Sequence, residues 1–116
     1  MLNQSSNVGS VMAALADPTR RMIIERLGAG PSSVSELAAP LPMSLPAVLQ
    51  HVQVLERCGL VSTGKVGRVR TCRLEVEPLD SLQDWIAARR RTWERRLDRL
   101  GSTVNPSAAK TQETQP

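Results

Sequence analysis

Phenylalanine and tyrosine are absent from this 116-residue chain, and its aromatic side chains are two tryptophans, Trp85 and Trp93. Folds that splay single-stranded bases onto aromatic platforms are therefore disfavoured, and any nucleic-acid partner is expected to be duplex. Histidine occurs once, at His51, and cysteine twice, at Cys58 and Cys72. No paired Ser/His or Cys/His and no phosphate loop is visible, and His51 has no acid or nucleophile beside it, so an enzyme is not expected. Two cysteines make no disulfide framework and read as free thiols in a reducing compartment. No apolar run approaches the roughly 20 residues of a membrane span. The N-terminus MLNQSSNVGS has neither the charged nor the hydrophobic region of a signal peptide, so a cytoplasmic protein with no membrane partner is expected. No internal repeat is visible.

What is present is basic charge and helical punctuation. The net charge of +4 and the pI near 10.0 suit a polyanionic partner. A chain this short buries only a modest core alone, so association is expected. Val8, Val11, Met12 and Leu15 form one helical stripe that ends at Ala16-Asp17-Pro18. Asp17 can cap a second helix, ADPTRRMIIERL, with Pro18 in its first turn, and Gly28-Ala29-Gly30-Pro31 stops it with a residue free to take a left-handed cap. Ser33 and Glu36 have capping-box spacing ahead of Leu37, and Pro40 and Pro42 close this third helix within about two turns.

After the turn at Met43-Ser44, a fourth helix runs to Cys58 with Ser44 as its cap and Gly59 beyond. Leu45, Val48, Leu49, Val52 and Leu55 gather on one face. Pro46, Gln50, Gln53 and Arg57 point away from it, with Ala47 and His51 beside them. That outward face is polar and nearly free of acid. A short helix, a tight turn and a longer helix over Ser33 to Leu60 read as a helix-turn-helix, whose second helix enters a DNA major groove. Ser44, Pro46, Ala47, Gln50, His51 and Gln53 are the candidate groove contacts, and Gln50 is the best base reader because its amide can pair bidentately with adenine.

VSTGKVGRVRTCRLEV then reads as two extended segments joined around Gly64-Lys65-Val66-Gly67. Alternation puts Cys72, Leu74 and Val76 toward the core. Lys65, Arg68, Arg70 and Arg73 crowd the tip and second strand. A basic hairpin after a recognition helix is a wing, and Lys65, Arg68 and Arg70 suit phosphates or the minor groove, against the alternative of a solvated basic turn. Arg20 and Arg21 are weaker candidates for backbone contact. The last helix, from about Pro78 to Leu100, carries Leu79, Leu82, Ile86, Trp93, Leu97 and Leu100 close to a seven-residue seam, interrupted by Arg89, and is expected to pack on a partner helix. Trp85, Arg89, Trp93 and Leu97 recur every four residues, so Arg89 can stack between two indoles there.

The order helix, helix, helix-turn-helix, basic hairpin, helix, with ADPTRRMIIERL, SVSELA and MSLPAVLQHVQVLERCGLV, resembles the ArsR-type winged-helix repressors from about Val8 to Leu100. The two tryptophans eight residues apart, followed by RLDRL, look like a branch without a metal site. The resemblance implies a mainly α fold of five helices with a two-stranded β wing, α+β in class. The winged-helix domain is then expected over 8–100, after a flexible stretch over 1–7, and the segment 101–116, which has almost no apolar content beyond Gly101, is expected to be a disordered tail. The resemblance further implies a homodimer built on Val8, Val11, Met12 and Leu15 of the first helix and Leu82, Trp85, Ile86, Arg89, Trp93 and Leu97 of the last, binding an inverted repeat in double-stranded DNA. Many relatives carry a small hydroxyl residue where Leu49 stands and a basic one where Gln53 stands; Leu49 can still reach a thymine methyl, but its place beside the apolar face makes packing its expected role.

The family's metal sensors place cysteines in the third helix, here ELAAPL, or histidines and carboxylates in the last, which has no histidine or cysteine. Asp80/Asp84 and Glu94/Asp98 are carboxylate pairs, but Arg90, Arg91 and Arg95 are spaced to neutralise the second. No metal and no cofactor is expected, and a small-molecule effector is left open. The rival readings are a winged-helix module binding a protein or structured RNA, and a repressor responding to a ligand or to Cys58 and Cys72.

Overall fold

The computed structural model describes the backbone of residues 4–104 and the side chains of residues 7–101. The elements are α1 (Gln4–Leu15), α2 (Pro18–Leu27), β1 (Ser32–Ser33), α3 (Val34–Ala38), α4 (Leu45–Arg57), β2 (Val61–Val66), β3 (Val69–Leu74) and α5 (Glu77–Val104). The chain packs as two units, residues 1–83 and residues 84–116. α1 starts at Gln4, ahead of the expected Val8, so residues 4–7 are helical. α5 continues past the expected end at Leu100, and the expected tail lies outside the described residues from 105 onward.

Helices α2, α3 and α4 start where their cap chemistry says they should. Asp17 Oδ2 accepts from Arg20 N at 3.0 Å, with Pro18 in the first turn. Ser33 and Glu36 make the full reciprocal box, at 3.1 and 2.9 Å. The Arg20 amide holds the Asp17 carboxyl below its ordinary 3.8, and the Ser33 amide holds Glu36 below its ordinary 4.5. Folded-state values below the unfolded ones mean stability that is present above those ordinary values and lost as pH falls through the lowered ones. Asp17→Asn keeps a capping oxygen that does not titrate, so it is expected to flatten the loss of stability below about pH 4. Urea unfolding at stepped pH reads this directly.

α4 ends in a Schellman motif. Leu60 N donates to Leu55 O at 3.0 Å and Gly59 N to Glu56 O at 3.1 Å. Gly59 has φ 86°, and a Cβ there would meet Pro78 Cγ at 3.3 Å. Leu55 and Leu60, the pair this motif brings together, are both fully buried.

The sheet is antiparallel with strand order β1-β3-β2. The wing therefore has a third strand, because Ser32 and Ser33 pair with Cys72 and Thr71. Val66 pairs with Val69, leaving a two-residue turn in which Gly67 has φ 67° and Arg68 does not. Glycine at the first central position is the type II′ pattern that matches strand twist. Gly64, expected in the loop, instead pairs with Thr71 inside β2.

The core of the first unit joins Val11 and Ala14 of α1, Ile23 and Leu27 of α2, Leu37 of α3, Val48, Val52 and Leu55 of α4, and Val61 and Cys72 of the sheet. Three expectations need correction. Leu45 is 49% exposed, and the neighbouring turn residues Leu41 and Met43 pack against the core instead. Met12 is exposed at the edge of the α1 stripe, while Ala14 is buried. Val76 is exposed because β3 stops at Leu74; its carbonyl instead accepts from Leu79 N and Asp80 N at the start of α5.

Candidate nucleic-acid interface

Val48, Val52 and Leu55 anchor α4 by one side, and Leu49 also packs against the core, as its border position led us to expect. On the opposite side Pro46, Gln50, Gln53 and Arg57 are exposed, and Ala47 and His51 are half-buried. Ser44 is exposed, and its Oγ accepts from Ala47 N at 3.3 Å. The hydroxyl proton stays available to an outside acceptor. This side of α4 offers two amides that each donate and accept, one hydroxyl donor, and a cation at its end.

The wing supplies the positive charge. Lys65, Arg68, Arg70 and Arg73 are exposed. Lys65 and Arg70 stand directly opposite each other across β2 and β3, a like-charged pair that favours an anion between or beside them. Arg70 already has one: its guanidinium lies 4.0 Å from Glu56 Oε1 and donates to Thr63 Oγ1 at 3.3 Å. Thr63 in turn donates to Glu56 Oε2 at 2.7 Å. Arg70 is thus tied back toward α4, and among the described residues Lys65, Arg68 and Arg73 are wing cations without such a tether. Glu75, just past the end of β3, accepts from Ser62 Oγ at 2.7 Å.

A family model described as a helix-turn-helix domain matches residues 15–63, which is α2 through the start of β2. The HTH-type transcriptional regulator Rv2034 of Mycobacterium tuberculosis is 49% identical over 70 residues, 60% of this chain and 65% of that protein. The match thus spans less than two thirds of that relative's length. Among solved structures, the ArsR-like transcriptional regulator from Rhodococcus sp. RHA1 is 33% identical and covers 90% of this chain and 99% of its own, with a TM-score of 0.79. The crystal structure of an ArsR family transcriptional regulator is 44% identical over 81% of this chain and 97% of that one, with a TM-score of 0.75. The chain belongs to the ArsR family of transcriptional regulators.

In this ArsR-family chain the residues expected at a dimer interface differ in their exposure. Val8 and Val11 are buried within the protomer, and Leu15 and Leu82 pack against its core. Of the expected seam, Met12, Ile86, Trp93 and Leu97 remain exposed, at 40%, 42%, 50% and 63%. Within the second unit Arg89 stacks over one indole rather than two: its Cζ lies 5.0 Å from the Trp85 ring centre. Arg90 pairs with Glu94 at 3.4 Å.

Arg20 and Arg21 both donate to the end of α1. α1 has no basic residue in its last turn. Arg20 Nε and Nη2 donate to Ala14 O and Ala13 O, and Arg21 Nη1 to Leu15 O and Ala16 O, at 2.6 to 3.2 Å. The carbonyls orphaned at a helix end thereby gain charged donors from the next helix. Both thiols are buried. Burial pushes the Cys72 thiol up, away from the thiolate a sensor needs, and Cys58 Sγ donates to Leu55 O at 3.3 Å.

Sequence reasoning missed Asp17 as a neighbour of His51, and missed Glu56 and Thr63 altogether. No local spacing signals these partners, because each contact joins different elements of the fold. Among the described residues no helix is long and apolar enough to cross a membrane.

Proposed function

We propose that this ArsR-family chain is a homodimeric, sequence-reading repressor that binds an inverted repeat in double-stranded DNA. The observation that carries the reading is the exposed, acid-free side of α4 beside a basic wing in one unit. α4 lies in the major groove with Gln50 on a base edge, and Ser44 and Gln53 near the backbone. Lys65 and Arg68 meet phosphates flanking that groove. The exposed apolar residues of α5, Ile86, Trp93, Leu97 and Leu100, form the seam with a second copy, so that two α4 helices face half-sites about 10 bp apart.

Electrophoretic titration of a duplex selected from genomic fragments by the purified protein, alongside random DNA, tests the proposal. Gln50→Ala is expected to cost about 1–3 kcal/mol on the selected duplex and little on random DNA. Lys65→Ala and Arg68→Ala are expected to weaken both alike, and each to flatten the slope of log affinity against log salt by about 0.9. Equal tolerance of Gln50→Ala and Arg68→Ala would instead favour a module that binds protein or structured RNA.

A further inference from the structure

His51 is the one polar residue beside the outward side of α4 that is turned back into the protein. Its Nδ1 lies 3.4 Å from Arg20 Nη1 and 3.8 Å from Asp17 Oδ2. Both partners are already committed to helix ends. Asp17 caps α2, and Arg20 Nε and Nη2 hold the last carbonyls of α1 at 2.6 and 3.1 Å. One guanidinium therefore joins the end of α1, the start of α2 and the middle of α4. Its N–H groups form a rigid planar fork, so two bonds to α1 set the direction in which the third meets α4.

The apolar contacts of Val48, Val52 and Leu55 press α4 onto the core, but burial of this kind is non-directional and resists rolling of the helix only through packing. The His51 contact sits on the flank, where it has leverage on that roll. Arginine donates and never accepts, so Nδ1 accepts from Arg20 in the tautomer that carries its proton on Nε2, whereas a proton on Nδ1 would face Asp17 Oδ2 instead.

We propose that His51 is a positioning residue: through Nδ1 it fixes the roll of α4 against the α1–α2 corner, and so sets where its neighbour Gln50 meets a base edge. The inference rests on the DNA-binding reading. On it, His51 contributes to discrimination between sequences without touching DNA itself.

The test uses two replacements that offer an acceptor at different places. Asparagine puts its side-chain oxygen near the position of Nδ1, whereas glutamine reaches toward that of Nε2. The probes are a duplex selected by the wild-type protein from a random-sequence pool and a scrambled duplex of the same composition. His51→Asn is expected to keep the ratio of the two affinities within about twofold, and His51→Gln to lower it by about tenfold, the worth of one charge-assisted hydrogen bond. Arg20→Lys, which keeps the charge and loses the fork, is expected to lower the ratio similarly. Combining it with His51→Gln adds nothing further, and the salt slope is the same in all variants.

Three outcomes overturn the proposal. One is His51→Gln outperforming His51→Asn with a shallower salt slope, which marks a direct phosphate donor. Another is additive losses in the double variant. The third is equal loss on both duplexes that follows a lowered melting temperature of the free protein, which marks a merely structural role. Failure of the wild-type protein to select any duplex would overturn the underlying DNA-binding reading instead.

Discussion

Leu55→Ala is expected to destabilise the protein by about 2–5 kcal/mol, the range for emptying a fully buried leucine site. Leu55 is 0% exposed beneath α4. Its carbonyl accepts the Leu60 amide that closes the helix, and Gly59 between them has little room against Pro78. The site is bounded by α4 and the turn into β2, so it has few ways to collapse onto the missing volume. Urea unfolding at one fixed protein concentration measures the effect, since the proposed association would make stability depend on concentration. A loss below about 1 kcal/mol would mean that the core relaxes around this site.

The second large effect concerns association. Trp93→Glu combined with Leu97→Glu places charges on two residues that are 50% and 63% exposed in the protomer. Their replacement leaves the protomer core untouched, so the helical circular dichroism of each protomer is expected to persist. Sedimentation should then report a monomer. Operator affinity should fall by about 10²- to 10⁴-fold, the advantage that two linked sites have over one. A double variant that still sediments as a dimer would place the seam elsewhere.

What could be read from the sequence, and what could not, divides by the range of the interactions. The Asp17-Pro18 start, the Ser33/Glu36 box, the Ser44 cap and the Gly59 stop are all closed by bonds spanning a few residues. Their chemistry is therefore visible in a short window. The packed side of α4 was legible from periodicity, except at Leu45, which is exposed while the preceding turn residues Leu41 and Met43 pack against the core. Strand β1 was not legible, because two serines carry no strand signal and find their partner only in β3.

The same divide runs through the candidate site. Gln50 and Gln53 were visible as outward residues from helical geometry alone. Arg20 and His51 meet across 31 residues, and Arg70 reaches Thr63 and Glu56 through the sheet and the end of α4. Positive charge was legible in each case; what each charge is spent on depends on neighbours that only the fold supplies. Arg20 and Arg21 show this most clearly, since both hold the end of α1.

The central claim is that two copies of α4 read two major-groove sites, and a missing-base footprint tests it most directly. With the wild-type protein bound to its selected duplex, the claim predicts two patches of sensitive bases related by two-fold symmetry, centred roughly 10 bp or a multiple apart. Within each patch, Gln50→Ala should abolish the sensitivity of one base pair and leave the rest. Uniform weak sensitivity along the duplex, or a pattern unchanged by Gln50→Ala, would contradict it.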